Sequence, residues 1–141
     1  MKSAMPFRGV PKPARTALLR ELAPQLDNVA AVESAAAELW DGAAFREERY
    51  LALALARRLR PDPARLRLIE HWIRTGAWWD LVDEIAVHLV GPLLRVHPAR
   101  TVPMVRGWMV DADRWLRRTS VIAQLGSRSA TDVELLVDAI E

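Results

Sequence analysis

The sequence contains no cysteine, which excludes disulfide bonds and thiolate metal sites and is compatible with a reducing compartment. Its longest unbroken apolar run, Tyr50 to Ala56, is far too short to span a bilayer. The stretch from Met1 to Arg15 has basic residues but no apolar segment of the kind found in a secretory leader. We therefore expect a soluble cytoplasmic protein that has no membrane partner.

Patterns that would bind a metal or a nucleotide are also missing. The three histidines, His71, His88 and His97, show no H-x-x-x-H or similar ligand spacing with a companion acid. All six glycines are isolated, so the sequence has no glycine-rich loop that would cradle a phosphate. The sequence thus predicts no metal and no cofactor.

The chain does contain enough apolar residues for one hydrophobic core. It has 141 residues, 51% of them hydrophobic, and no low-complexity tract. A chain of this length and composition is expected to fold as a single domain over residues 1–141. We also expect a monomer.

Arginine supplies 18 of the 20 basic residues, and its planar guanidinium group suits phosphate binding and stacking. Residues 57–74 and residues 95–118 each hold six arginines and two acids, whereas the last eleven residues hold four acids and no base. This distribution fits a nucleic-acid-binding surface and solvated helix faces equally well. Charge alone therefore leaves both alternatives open.

Apolar residues recur with helical spacing, and alternating runs bounded by hairpin turns are missing. The sequence predicts an all-α fold of about eight helices with short connections, packed as a bundle or as a stack of antiparallel pairs. The predicted helices cover approximately residues 13–22, 29–40, 44–59, 63–76, 78–90, 100–110 and 113–126, with a last one beginning near residue 131.

Local signals predict several helix ends. Asp27 or Asn28 is suited to cap the second helix, and Asp62-Pro63 combines an N-cap with a proline in the first turn of the fourth. Gly91-Pro92 is predicted to end the fifth helix, because neither residue favours a helix interior. Thr131 to Glu134 has capping-box spacing for the eighth.

One pattern occurs twice. A Pro-Ala-Arg triplet precedes two tryptophans seven residues apart, once in Pro63 to Trp79 and once in Pro98 to Trp115. The tryptophans of the second segment lie 36 residues after those of the first, which is near the period of two-helix repeats such as HEAT. If these are repeats, Trp79 and Trp115 occupy equivalent points on the second helices of adjacent pairs.

Two charged residues share faces with these tryptophans. Asp83 follows Trp79 by four residues, and Arg118 follows Trp115 by three, which places each on its tryptophan's side of a helix. Adjacent helices pack with their axes roughly 8–10 Å apart. The repeat therefore predicts an aromatic ring, a carboxylate and a guanidinium group in one groove.

Such a groove is suited to cleaving a glycosidic bond. A fixed carboxylate such as Asp83 stabilises the oxocarbenium-like sugar or positions the attacking water. An arginine holds a backbone phosphate, and tryptophan faces hold a cationic base or sugar. The residues alone leave a second interpretation open, in which the tryptophans form core and Asp83 is a solvated acid beside Glu84.

Residues Trp78 to Asp83, with the sequence WWDLVD, resemble the WWDxVD signature of the DNA alkylation repair enzyme family, the AlkD-like DNA glycosylases. Further segments resemble the family's PFxGIxxPxR, REYQYxA, WLxRxAI and TD motifs in the same order along the chain, at residues 6–15, 46–52, 114–122 and 131–132.

The resemblance implies a right-handed superhelix of HEAT-like pairs that excises positively charged N-alkylated purines, such as 7-methylguanine and 3-methyladenine, from duplex DNA as a monofunctional glycosylase. It implies that Trp79 is the stacking tryptophan, Asp83 the catalytic carboxylate and Arg118 the DNA-binding arginine. The nearby Trp78, Trp115 and Arg117 are further candidates for substrate or DNA binding.

The chain departs from the family pattern at both ends. The family's N-terminal helix, with its aromatic residue, and its C-terminal repeats, with a second active-site tryptophan, have no counterpart in residues 1–141. We therefore expect a truncated lesion site. Two hypotheses follow: a base-excision glycosylase that uses Asp83, or a catalytically weak or inactive helical-repeat module that binds DNA or protein through its arginine-rich face.

Overall fold

The computed structural model describes residues 4–141, and within this range the secondary structure is helical without strands. The predicted all-α fold is confirmed. Helices α5 and α6 are joined by a π-helical segment, Ala86–Val90, and if the three are counted as one, residues 4–141 hold eight separate α-helices. The α-helices are α1 Lys12–Leu22, α2 Val29–Asp41, α3 Arg46–Ala56, α4 Leu66–Gly76, α5 Trp79–Ile85, α6 Gly91–Val96, α7 Pro98–Met109, α8 Arg114–Ile122 and α9 Val133–Asp138.

The chain divides into two compact units, Met1–Arg60 and Pro61–Glu141. The first contains α1 to α3, and the second contains α4 to α9. The expectation of a single domain remains a prediction. No helix in residues 4–141 has both the length and the hydropathy that crossing a membrane requires.

In the first unit, α2 and α3 pack against each other. Asn28 caps α2, because its side-chain oxygen accepts a hydrogen bond from the backbone N–H of Ala31 at 2.9 Å. This decides between the two caps that the sequence offered. Both helices contribute buried side chains to the core of this unit: Ala36, Trp40, Ala52, Leu53 and Leu55.

The buried carboxylate of Glu47, in the first turn of α3, fixes the N-terminal segment of this unit. It accepts hydrogen bonds from three successive backbone N–H groups, those of Arg8, Gly9 and Val10, at 2.8 to 3.1 Å. Gly9 has a φ of 81°, a conformation that glycine adopts at little cost. A glycine is thus required where the backbone curls around the carboxylate.

The second unit begins as predicted, with the Asp62 side chain accepting a hydrogen bond from the Ala64 N–H at 2.9 Å. A short 3₁₀ turn, Pro63–Arg65, leads into α4. Gly76 is the last residue of α4, but the left-handed residue that reverses the chain is Ala77, with a φ of 39°. The chain therefore turns into α5 through a non-glycine residue in a strained conformation.

The prediction that Gly91-Pro92 ends the fifth helix is wrong. Proline lacks a backbone N–H and its ring clashes with a regular α-helical turn, yet the chain passes Pro92 in helical form because the preceding turn widens. The Gly91 N–H donates to the carbonyl of Ala86, five residues earlier, which is the hydrogen bond of a π-helix. Helical structure therefore runs without interruption from residue 79 to residue 96.

The capping box expected at Thr131 to Glu134 is also wrong. The Asp132 side chain caps α9 by accepting from the Leu135 N–H at 3.0 Å, while the Thr131 hydroxyl donates to the Arg128 carbonyl at 2.7 Å. Aspartate and threonine both cap helices, and the two positions are adjacent. The turn before α9 directs the threonine away from the helix end.

The core of the second unit is made by buried side chains of α4 to α9 and of the π-helical segment, and α8 packs against α4, α5 and α7. Asp83 of α5 pairs with Arg118 of α8. Further along the continuous helix 79–96, Gly91 lies against Ala123, the residue that follows α8. These contacts follow in the same chain direction, so the path 79–96 runs parallel to α8. Second helices of successive repeats would do the same, although the right-handed superhelix itself remains a prediction.

Candidate functional site

Residues at the beginnings of α5 and α8 form the candidate site. Trp79 is the first residue of α5, immediately after the turn at Ala77. Helix α8 begins after Asp113, whose side chain accepts a hydrogen bond from the Trp115 N–H at 2.8 Å. Because α5 contacts α8 and the two run parallel, their first turns lie on the same side of the unit.

Asp83 and Arg118 form a bidentate ion pair between these helices. Arg118 Nε donates to Asp83 Oδ1 at 2.6 Å, and Arg118 Nη2 donates to Oδ2 at 2.7 Å. Two parallel hydrogen bonds of this kind fix both the distance and the orientation of the two planar groups. The structure thus brings together the carboxylate and the guanidinium group that the sequence placed in one groove.

The pair stands at the surface. The side chains of Asp83 and Arg118 are 31% and 43% exposed, so a ligand in solution can reach both groups. The hydrogen bonds to Asp83 raise the pKa of Arg118, burial opposes them with a smaller effect, and the attraction of the Asp83 charge adds to the rise. Arg118 is therefore a permanent cation and Asp83 its counter-ion.

The four repeated tryptophans divide into core and surface. Trp72 and Trp108, the first of each pair, are 1% and 3% exposed. Trp79 is 55% exposed, and Trp115 is half-buried. The interpretation of tryptophans as core thus holds for the first tryptophan of each pair. Trp79 instead presents an aromatic surface on the side of α5 that carries Asp83.

Trp78 and Arg117 have other surroundings. Trp78 is half-buried at the N-cap of α5, where its carbonyl accepts from the Val82 N–H at 3.0 Å. Arg117 donates from Nη1 to the backbone carbonyls of Asp111 and Ala112. Its guanidinium group therefore closes the connection before α8 and takes no part in the Asp83 pair.

Arg114 is a further candidate for the site that the sequence motifs did not single out. Its guanidinium carbon lies 4.9 Å from the centre of the Trp115 ring, within cation–π range, and the residue is exposed. Among the residues that the structure describes, no carboxylate lies within 4 Å of it. The sequence feature that could have indicated Arg114 is its position directly before Trp115, one of the repeated tryptophans.

The arrangement is suited to chemistry by a single carboxylate. Each carboxylate oxygen has about two acceptor positions, so Asp83 can accept a hydrogen bond from a water or face a cationic sugar while it pairs with Arg118. Within residues 4–141 no group of three or more histidine, aspartate or glutamate side chains is suited to hold a metal ion.

The comparisons with known proteins concern the whole chain. A search of curated proteins found no match. The family model described as DNA alkylation repair enzyme matches residues 1–141. This family acts in the repair of alkylated DNA and therefore binds DNA. Since the match covers the full length of the sequence, the chain belongs to the DNA alkylation repair enzyme family.

Proposed function

We propose that the protein is a monofunctional DNA glycosylase that excises positively charged N-alkylated purines, such as 7-methylguanine and 3-methyladenine, from duplex DNA. In this proposal it acts as a monomer without a nucleotide cofactor. The observation that carries the proposal is the partly exposed Asp83 carboxylate, oriented by Arg118 on the side of α5 that carries the exposed Trp79.

The chemistry needs little beyond these groups. An alkylated purine is already cationic, so it leaves with the electrons of the N-glycosidic bond as a neutral base and requires no general acid. Positive charge then develops on the sugar, where the Asp83 carboxylate stabilises it. Water adds to the sugar carbon and releases a proton, which leaves an abasic site and the free base.

In this proposal the other site residues bind the damaged DNA. The Trp79 indole offers a face for stacking on a cationic base or sugar. Arg118 offers a planar fork for a backbone phosphate. Trp78, Trp115 and Arg117 are further candidates for DNA binding, and Arg117 would act through the connection before α8 that it holds.

The direct test is abasic-site formation on a duplex oligonucleotide that contains 7-methylguanine. We expect the wild-type chain to form abasic sites and Asp83→Asn to lose at least tenfold in rate, about 1.4 kcal/mol in the barrier. Asp111→Asn is the matched control, because Asp111 also accepts two hydrogen bonds from an arginine in the same unit, Arg74. Equal rates for wild type and Asp83→Asn would remove Asp83 from the mechanism.

A second candidate is a helical-repeat module that binds DNA or protein without cleaving it. The arginine-rich stretches support it, since Arg114 and other exposed arginines offer positive charge on α8 whether or not Asp83 acts. Retained binding of 7-methylguanine duplex with no abasic-site formation by the wild-type chain would favour this module over the glycosylase.

A further inference from the structure

The ion pair occupies both groups that the proposed reaction uses. Arg118 presents its Nε and Nη2 atoms to Asp83, and this edge of the guanidinium group is one of the two edges that can hold a phosphate with two parallel hydrogen bonds. The reaction needs Asp83 to face the sugar and Arg118 to face the DNA backbone. In the free protein each side chain instead faces the other.

We propose that Arg118 exchanges partners: it holds Asp83 in the free protein and releases it when a DNA phosphate takes the guanidinium fork. This inference rests on the proposed function, because it explains how the same carboxylate becomes available. It also implies that a free nucleoside leaves the pair intact, since a nucleoside lacks the phosphate that displaces Asp83.

Two features of the pair favour exchange over a permanent structural link. Both side chains are partly exposed, so a phosphate reaches them without unfolding the site. Exposed ion pairs also contribute little to folding stability, because water solvates the separated charges well. A phosphate that accepts the same two hydrogen bonds therefore replaces Asp83 at small cost.

The test is a double-mutant cycle on the affinity for an undamaged duplex, measured with the full chain at fixed salt. If Asp83 competes with phosphate for Arg118, Asp83→Asn tightens binding by about three- to tenfold. In the Arg118→Ala background the same change has less than about a twofold effect, because the competition no longer exists. Arg118→Lys keeps the charge without the fork and should give an intermediate result.

Asp111→Asn is the control for general charge. Arg74 donates to Asp111 from Nη1 at 3.1 Å and from Nη2 at 2.8 Å, so the variant also removes one carboxylate from a bidentate pair of the same unit. We expect it to leave duplex affinity within about twofold of wild type. An equal gain for Asp111→Asn, an equal gain for Asp83→Asn in both backgrounds, or no gain at all would each overturn the exchange.

Because the cycle is measured on undamaged DNA, its outcome does not depend on whether the protein excises a base. A positive cycle with no abasic-site formation would keep the exchange and reject the excision. Excision with an additive cycle would keep the glycosylase and reject the exchange. Urea unfolding of every variant identifies any loss of affinity that comes from a destabilised fold.

Discussion

Gly91 and Ala123 approach so closely that a Cβ atom on Gly91 would lie 2.6 Å from the Ala123 carbonyl oxygen. Gly91 is buried and follows the π-helical segment, and Ala123 is the C-cap of α8. The obstacle is backbone, so it yields only if the two helical paths separate. This contact therefore maintains the alignment that also brings Asp83 to Arg118.

We expect Gly91→Ala to destabilise the fold by about 1–3 kcal/mol, because the added methyl group overpacks the contact. Gly107→Ala is the control: Gly107 is exposed in α7, and a Cβ there has nothing within 4 Å. It should stabilise by about 0.5–1 kcal/mol through helix propensity. Urea unfolding of both variants measures the difference, and equal stabilities would refute the close contact.

The surface tryptophan should matter for binding and the core tryptophan for folding. Trp79 is 55% exposed, so Trp79→Ala should change the free energy of unfolding by no more than about 0.5 kcal/mol. Trp72 is 1% exposed, and Trp72→Ala should cost about 3–5 kcal/mol. In the Asp83→Asn background, loss of Trp79 should weaken binding to 7-methylguanine duplex by about 1–3 kcal/mol.

Denaturation curves and fluorescence binding titrations measure these two effects of the tryptophan substitutions separately. If Trp79→Ala unfolded as easily as Trp72→Ala, the ring would belong to the core and the stacking role would fail. Unchanged affinity for the damaged duplex would equally remove Trp79 from the interface.

Glu47 should make the first unit sensitive to acid. Burial raises the pKa of its carboxyl group. Hydrogen bonds from the backbone N–H groups of Arg8, Glu47 itself, Val10 and Gly9 lower it, and together they outweigh burial. The pKa of Glu47 therefore lies below the ordinary 4.5. A group whose pKa is lowered by folding adds stability above its unfolded pKa. That stability is lost as the pH falls through the lower, folded value.

The corresponding variant is Glu47→Gln. It should be less stable at pH 7 by about 1–3 kcal/mol, because the three N–H groups lose a charged acceptor. Its stability should also fall less steeply than that of the wild type below about pH 4.5. Unfolding free energies measured from pH 3 to pH 7 test both effects, with Glu21→Gln in exposed α1 as the control. Parallel pH profiles for Glu47→Gln and wild type would contradict this account.

Ala77 is held in the left-handed region, with a φ of 39° and a ψ of 36°, at the C-cap of α4. Such a conformation costs an alanine roughly 1 kcal/mol and a glycine almost nothing. Ala77→Gly should therefore stabilise the fold by about 0.5–1 kcal/mol. Ala139 is a C-cap with a φ of −78°, so Ala139→Gly should be neutral or destabilising. Thermal unfolding that ranked the two in the opposite order would refute the strain at Ala77.

Sequence periodicity was sufficient for most of the fold. The caps at Asn28 and Asp62 follow from side-chain chemistry within a few residues, and the structure contains both. The two wrong predictions, at Gly91-Pro92 and at Thr131 to Glu134, concern places where more than one local structure suits the same residues. Gly91-Pro92 has the composition of a helix end, but packing against Ala123 and a π turn keep the helix intact.

The candidate site was predictable only in part. Helical spacing puts Asp83 on the side of Trp79 and Arg118 on the side of Trp115, and the family signature drew attention to the same residues. Spacing within one helix carries no information about which side chains of two helices meet. The direct pairing of Asp83 with Arg118, and the separate role of Arg117 at the loop, therefore emerged only from the structure.

The sequence by itself determined the helical class, the short connections and the membership of a DNA repair family, because these depend on local periodicity and on motifs that are continuous along the chain. Tertiary structure decided which tryptophans are buried and which carboxylate each arginine contacts. Those outcomes depend on how helices approach one another across about 35 residues of sequence, as between Asp83 and Arg118. Packing of whole helix faces sets that approach, and a local pattern does not encode it.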